Sequence, residues 1–323
     1  MELTRRGLAA LLTAGLVGAG TLAGSVADAA PAAVDPVTAS PYIYLGAGWQ
    51  PNVASTMSAT GLKAFTIAFV LSNGGCTPVF DGGASAAATT INAVRRAGGD
   101  VIVSFGGWGG SKLGEHCSSV SALAAAYQKV ITQYSLKAID IDIEATEMST
   151  PSVQDRVLGA LKTVKQDNPG LKVVVTMGTT TSGPNADGQR LIKQGKALGA
   201  GVDVWSIMPF DFSGGGDMWA HTKSAAEGLK NQLKSAFGWS DAQAYAHMGI
   251  SSMNGKTDNA GETVTLADFT SILSYAKANH LARLTYWSAN RDRACGSGGD
   301  GDTCSGVSQS PNDFSKVIGK FTG

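Results

Sequence analysis

Residues 136–145 read LKAIDIDIEA. Asp140, Asp142 and Glu144 stand at every second position, with Ile139, Ile141 and Ile143 between and before them. On a strand, successive side chains point to opposite faces. The isoleucines therefore share one face and the three carboxyls share the other. Same-face neighbours on a strand lie roughly 6.5–7 Å apart. Carboxylates that close resist joint ionisation, so at least one keeps its proton toward neutral pH. A carboxyl protonated near neutrality is what general acid catalysis requires. The segment alone also fits an edge strand with a solvated acidic face.

What holds these residues must be read from the rest of the chain. Apolar, strand-like runs recur at 42–49, 62–71, 100–107, 137–145, 171–179, 203–212, 247–254 and 282–290. Helical patterns alternate with them at 85–98, 120–133, 151–167, 187–199, 222–236, 266–279 and 312–321. The first connection, 52–60, has room for one or two helical turns. Eight strands alternating with helices predict parallel pairing and an α/β (β/α)8 TIM barrel. A doubly wound open sheet is the rival, and it more often stops at five or six strands. In a closed barrel the isoleucines face the helix ring and the acids line the lumen. Glu144, last of the three, then sits at the C-terminal mouth, where barrel enzymes keep their chemistry. Closure also removes the edge-strand reading, because a barrel has no edge.

Composition narrows the class. The chain has 323 residues, 43% hydrophobic and 15% charged, enough apolar material for one sizeable core. Lys plus Arg and Asp plus Glu number 25 each. That balance does not suggest a nucleic acid or membrane partner. It fits a neutral polymer or ligand. Arg5-Arg6, a glycine-interrupted apolar stretch and Ala27-Asp28-Ala29 read as a secretory signal over residues 1–29, by a Sec or twin-arginine route. The mature chain, 30–323, is then one domain, expected to be extracellular and monomeric. Four cysteines in a secreted chain suggest disulfides. Cys295 and Cys304 flank a glycine-rich loop that needs a tie, and Cys76 and Cys117 each follow an apolar run. Pairings 76–117 and 295–304 are expected. No CxxC pair exists and the histidines are scattered, so no metal is expected. Asp300 and Asp302 in GSGGDGDTC raise calcium, but a surface turn is the better reading.

The chain resembles glycoside hydrolase family 18, the chitinase family. That family's D-x-x-D-x-D-x-E motif falls on Lys137, Asp140, Asp142 and Glu144. Its S-x-G-G is Ser104-Phe105-Gly106-Gly107, and its M-x-Y-D is Met208-Pro209-Phe210-Asp211. A tryptophan on the eighth strand matches Trp287 in YWSANRDR. The motifs lie on four separate, correctly ordered strands, and the resemblance spans the whole mature chain. Two positions depart, Lys137 for the first aspartate and Phe210 for the tyrosine.

The resemblance implies roles. Glu144 would protonate the glycosidic oxygen, Asp142 would orient the substrate's acetamido group, and Asp140 would share a proton with Asp142. Asp211 would hydrogen-bond the sugar, Met208 and Phe210 would line the wall, and Trp287 would be the floor. Ser104, Gly106 and Gly107 would shape the base of the site. Tyr286 and Asn290 are candidates to replace the missing phenol. Trp108, Trp49 and Trp219 are candidate outer subsites, whereas Trp205 and Trp239 look structural. Only about 26 residues separate the seventh and eighth runs, enough for one helix and no insertion domain. The expectation is therefore a shallow groove. It belongs to a secreted, cofactor-free endo-chitinase cutting β-1,4 N-acetylglucosamine linkages by a retaining, substrate-assisted mechanism. The alternatives are an endo-β-N-acetylglucosaminidase on N-glycan cores, a non-catalytic chitin-binding lectin and a glycosidase using two enzymic carboxylates.

Overall fold

Eight strands run parallel around one axis. They are β1 (Tyr42–Tyr44), β2 (Ala64–Ser72), β3 (Asp100–Gly106), β4 (Ala138–Ile143), β5 (Lys172–Gly178), β6 (Val204–Met208), β7 (Met248–Met253) and β8 (Arg283–Trp287). Each pairs with its sequence neighbour in parallel register from β1 to β8. At the β8–β1 seam, Leu284 N–H donates to the Thr38 carbonyl at 2.9 Å, and the Thr285 hydroxyl donates to the Ser40 carbonyl at 2.6 Å. The architecture is a (β/α)8 barrel in this computed structural model, which describes residues 34–296 and 301–323. The signal expected over 1–29, and Asp300, lie outside the described residues.

The helices form where the sequence supplies start signals. Val53–Thr60 is capped by the Asn52 side chain, which accepts from Ser55 N–H. Val120–Tyr134 is capped by Ser119, and Pro151 occupies the first turn of Pro151–Asp167. Ala84–Arg96, Ala186–Leu198, Met218–Phe237, Leu266–Ala278 and Asp313–Ile318 complete the ring. Among the described residues no helix is long and apolar enough to cross a membrane.

Two small ribbons interrupt the regular pattern. Pro78–Phe80 pairs antiparallel with the end of β2, and the Cys76–Cys117 disulfide lies just before it. Gly255–Lys256 pairs with Thr263–Val264. The β7–β8 connection thus holds this ribbon as well as the helix Leu266–Ala278, more than the single helix expected from its length. Short two-residue strands leave no period-2 signal to read. The second disulfide, Cys295–Cys304, closes the loop after β8.

Alternation sorts the strands as the period-2 rule requires. Ile139, Ile141 and Ile143 are buried in one apolar cluster with Leu123, Tyr127, Val157 and Leu161 of the helix ring. The lumen is stacked in layers. Ile102, Ala138, Val174 and Val204 plug the bottom with Val37. One step up, the lumen residues turn polar: Thr66, Ser104, Asp140, Thr176 and Ser206 are all fully buried.

Buried Arg283 anchors this polar layer at the seam. Its guanidinium donates to the Val37 carbonyl at 2.8 Å, the Ser40 hydroxyl at 2.5 Å and the Thr66 hydroxyl at 2.8 Å. It also lies over the Tyr42 ring, 6.0 Å from the centroid. Arg283→Met keeps the bulk and deletes these charge-assisted bonds. It should cost about 2–4 kcal/mol of stability, read from the denaturant midpoint. An unchanged midpoint would mean that the seam is held by backbone pairing alone.

Candidate active site

The lumen above Arg283 is built around β4. Asp140 is fully buried and accepts from three hydroxyls. Ser104 of β3 donates to Oδ2 at 2.6 Å, Tyr42 of β1 to Oδ2 at 2.8 Å, and Thr176 of β5 to Oδ1 at 2.7 Å. Burial, then the charges of Asp140 and Asp142, push the Tyr42 phenol well above its usual range, so it stays a donor. The register explains the convergence: Ser104 faces Asp140 across β3–β4, while Thr176 stands one step up beside Asp142.

Asp142 is different. It is 3% exposed, and its Oδ1 has no hydrogen-bond partner. Burial, then repulsion from Glu144 and Asp140, raise its pKa well above the usual carboxylate range. An unpaired buried carboxyl oxygen is costly and calls for a ligand donor. Beside it Gly106, at φ +103°, lets the end of β3 close on β4; a Cβ there would lie 2.2 Å from the Asp142 backbone carbonyl oxygen.

Glu144 follows β4 directly. The chain leaves the strand through Ala145 in the left-handed region, at φ +50°, and enters the short helix Ala145–Ser149. Glu144 is half-buried at the mouth, with its pKa pushed up to about 7. Burial is the main cause; Lys112 pulls it down, and Asp211 and Asp258 push it up. It lines a cleft of about 300 Å³ with Trp108, Met148, Thr179, Thr180, Asn185 and Asp187.

The opposite wall is aromatic. Trp287 stacks on Phe69, with centroids 5.5 Å apart and 12° between planes. Tyr42 and Tyr44 approach it at 5.9 and 5.4 Å. Gly107 makes this possible, since a Cβ there would strike the Phe69 ring at 2.7 Å. Met208 ends β6, nearly buried, and Phe210 is half-buried against the core. Asp211, at φ +57°, accepts from Asn259 N–H at 3.1 Å. Burial raises its pKa, against the Thr257 hydroxyl, and Asp258 raises it further.

The remaining candidates divide between the site and the packing around it. Tyr286 lies on the other face of β8 from Trp287. It is fully buried on the helix side, with its hydroxyl shared between Asp292 and Ser315 and its ring edge-on to Phe269. That placement replaces the expectation that it lines the site; strand parity is the reason. Asn290 ties the β1 end, accepting from Tyr44 N–H and donating to the Tyr44 and Trp49 carbonyls. Trp49 carries the Arg293 guanidinium, 4.8 Å from its ring centroid. Trp219 packs edge-on against Tyr275 between two outer helices. Trp205 is fully buried, and Trp239 stacks between Phe237 and His247. Trp108 stands 75% exposed at the mouth. Lys137 pairs with Asp100 at 2.9 Å at the start of β4. It is off the acid face, as its odd spacing from Asp140 requires.

Other functional candidates carried weaker sequence signals. Tyr42, Phe69 and Thr176 became visible only through strand pairing. Glu147 stands one helical turn after Glu144, yet the short helix left no period to read. Buried Lys112 lay in a glycine-rich loop without a pattern.

A carboxyl that keeps its proton near neutrality, above an unpaired buried carboxylate and beside an aromatic wall, defines a glycosidase-type barrel. No family model matches the chain. It is similar to a probable bifunctional chitinase/lysozyme of Escherichia coli K12, 28% identical over 274 residues, which are 78% of this chain and 30% of that protein. It is also similar to Endochitinase 11 of Metarhizium anisopliae, 28% identical over 271 residues, 78% of this chain and 52% of that one. The chain thus spans about a third and about half the length of these curated relatives. Active domain 2 of a Pyrococcus furiosus chitinase superposes with a TM-score of 0.81 at 27% identity, covering 89% of this chain and 95% of that domain. A family 18 chitinase of Chromobacterium violaceum shares the fold, with a TM-score of 0.58 at 16% identity over 89% of this chain and 84% of that one. With its four strand-end motifs on this barrel, the chain is similar in sequence and fold to the family 18 chitinases.

The Asp140 cradle can be tested alone. Tyr42→Phe removes one of three donors and leaves the ring beside Trp287. It should cost about 1–2 kcal/mol in thermal or chemical unfolding. No measurable cost would mean that Ser104 and Thr176 suffice.

Proposed function

We propose that the protein is a chitinase that hydrolyses β-1,4 bonds between N-acetylglucosamine units with retention, using the substrate's acetamido group as nucleophile. One observation carries the reading: the unpaired Asp142 oxygen, buried beneath Glu144. A sugar hydroxyl or an acetamido N–H could satisfy it. The acetamido group at C2 also brings its own carbonyl oxygen to the anomeric carbon. The Pyrococcus furiosus domain, similar to this chain at 26–27% identity, has been crystallised in complex with chito-oligosaccharides.

In the proposed reaction each side chain has its own task. The sugar's apolar face rests on Trp287, and its acetamido N–H donates to Asp142. Glu144 gives its proton to the glycosidic oxygen as the bond to the anomeric carbon breaks. The acetamido carbonyl oxygen bonds to that carbon, forming a cyclic oxazolinium ion, the substrate-assisted exception among retaining glycosidases for which this family is known. An Asp142 carboxyl oxygen accepts from the ring N–H, where the positive charge lies. Water then attacks the anomeric carbon from the side the leaving group vacated. Glu144, now a carboxylate, takes the water's proton, and the acetamido group is restored.

Two finer points belong to the same proposal. The β7–β8 connection adds only a ribbon of two residues per strand and one helix, which supports an open groove and endo cleavage. Two disulfides support an oxidising, extracellular setting.

Hydrolysis of a chito-oligosaccharide beside Glu144→Gln tests the reading. Loss of a general acid costs on the order of 10²–10⁴-fold in rate. Comparable turnover by both proteins would overturn it. Because Glu144 must carry its proton, kcat/KM should fall as pH rises through about 7. A profile still flat at pH 9 would assign the acid to another group.

A further inference from the structure

A buried cation stands in the loop that carries Trp108 to the Glu144 cleft, and the mechanism above gives it no task. Lys112 closes the glycine-rich loop after β3 and is 2% exposed. Its ammonium donates to the Gly109 carbonyl, next to Trp108. The loop continues into the helix Leu113–His116, whose Gly114 lies against Glu147. Glu147 is itself 2% exposed, one turn after Glu144, and its Oε2 has no hydrogen-bond partner. Two glycines border this carboxylate. A Cβ on Gly114 would overlap Oε1, and one on Gly106 would lie 3.5 Å from Oε2. Gly106 also borders the Asp142 backbone, so the carboxylate packs against the end of β3 where β3 meets β4.

We propose that Lys112 is a positioning residue for the acid. Its buried ammonium, opposed by Glu147, offsets the negative charge that Glu144 acquires beside Asp142 once it has given up its proton. This rests on Glu144 being the general acid. The charges that bear on Lys112 are, in decreasing order, Glu147, Glu144, Asp142 and Glu115. Burial outweighs them and lowers the lysine's pKa. In return Lys112 pulls Asp142 and Glu144 down against their burial. Glu147 is pushed up to about 7, by burial first and Glu115 second, with Lys112 and the Gly114 N–H pulling the other way. Asp211 and Asp258, on the connections after β6 and β7, raise Glu144.

The two members of the pair then have opposite effects. Lys112→Met removes the cation, so Glu144 holds its proton to higher pH. The alkaline limb of kcat/KM on a chito-oligosaccharide should move up by about one pH unit. Lys112→Arg keeps the charge and should keep the limb. Glu147→Gln frees the cation from its counter-charge and should move the limb down. Limbs that stay in place in both neutralised variants, with only the amplitude reduced, would show a structural lysine and overturn the proposal. Where Lys112→Met does not fold, Glu147→Gln decides alone by the sign of its shift. Absence of turnover in the unaltered protein would overturn the functional reading and this proposal together; turnover with fixed limbs overturns this proposal only.

Discussion

The structure depends on keeping a column of carboxyls out of water without losing the fold. Asp140 cannot be buried by a strand alone. Its three hydroxyl donors come from β1, β3 and β5, which lie beside β4 or across the lumen from it only when the sheet closes. Closure in turn depends on Arg283, which bonds β8 to the segment before β1 and to β2. A charge at the base therefore makes a polar lumen affordable. The polar lumen then holds Asp140 firmly enough for Asp142 to stand above it unpaired.

From that base the site becomes more exposed and more reactive toward the mouth. Asp140 is fully satisfied, Asp142 is buried but lacks a partner, and Glu144 is half-buried with a proton near neutrality. Gly106 lets β3 close on the Asp142 backbone, and Gly107 leaves room for the Phe69–Trp287 stack. Loop charges adjust the top of the column. Lys112 draws Glu144 toward its ionised form, while Asp211 and Asp258 resist. The acid's poise near 7 is the balance of Lys112 against burial and these two aspartates.

Much of this was legible because strand periodicity is a local property. The alternation of isoleucine and acid in 139–144 placed the two faces, and eight such runs set the barrel. The same parity puts Lys137 off the acid face and sends Tyr286 to the helix side when Trp287 faces the lumen. Partners from distant strands were not legible. Tyr42 and Thr176 reach Asp140 through a register that no local pattern encodes. Lys112 and Glu147 lie in a glycine-rich loop and a five-residue helix, too irregular to carry a period. The ribbon after β7 is similarly short, yet it brings Asn259 to Asp211.

The central claim is that Asp142 positions a nucleophile carried by the substrate, so that no enzymic carboxylate attacks the sugar. Product stereochemistry together with substrate choice tests it most directly. Proton NMR of the first products from an N-acetylated oligomer should show the β-anomer before mutarotation. The same oligomer without its N-acetyl groups should be cleaved slower by orders of magnitude. An α-anomer, or equal cleavage of the deacetylated chain, would contradict the account.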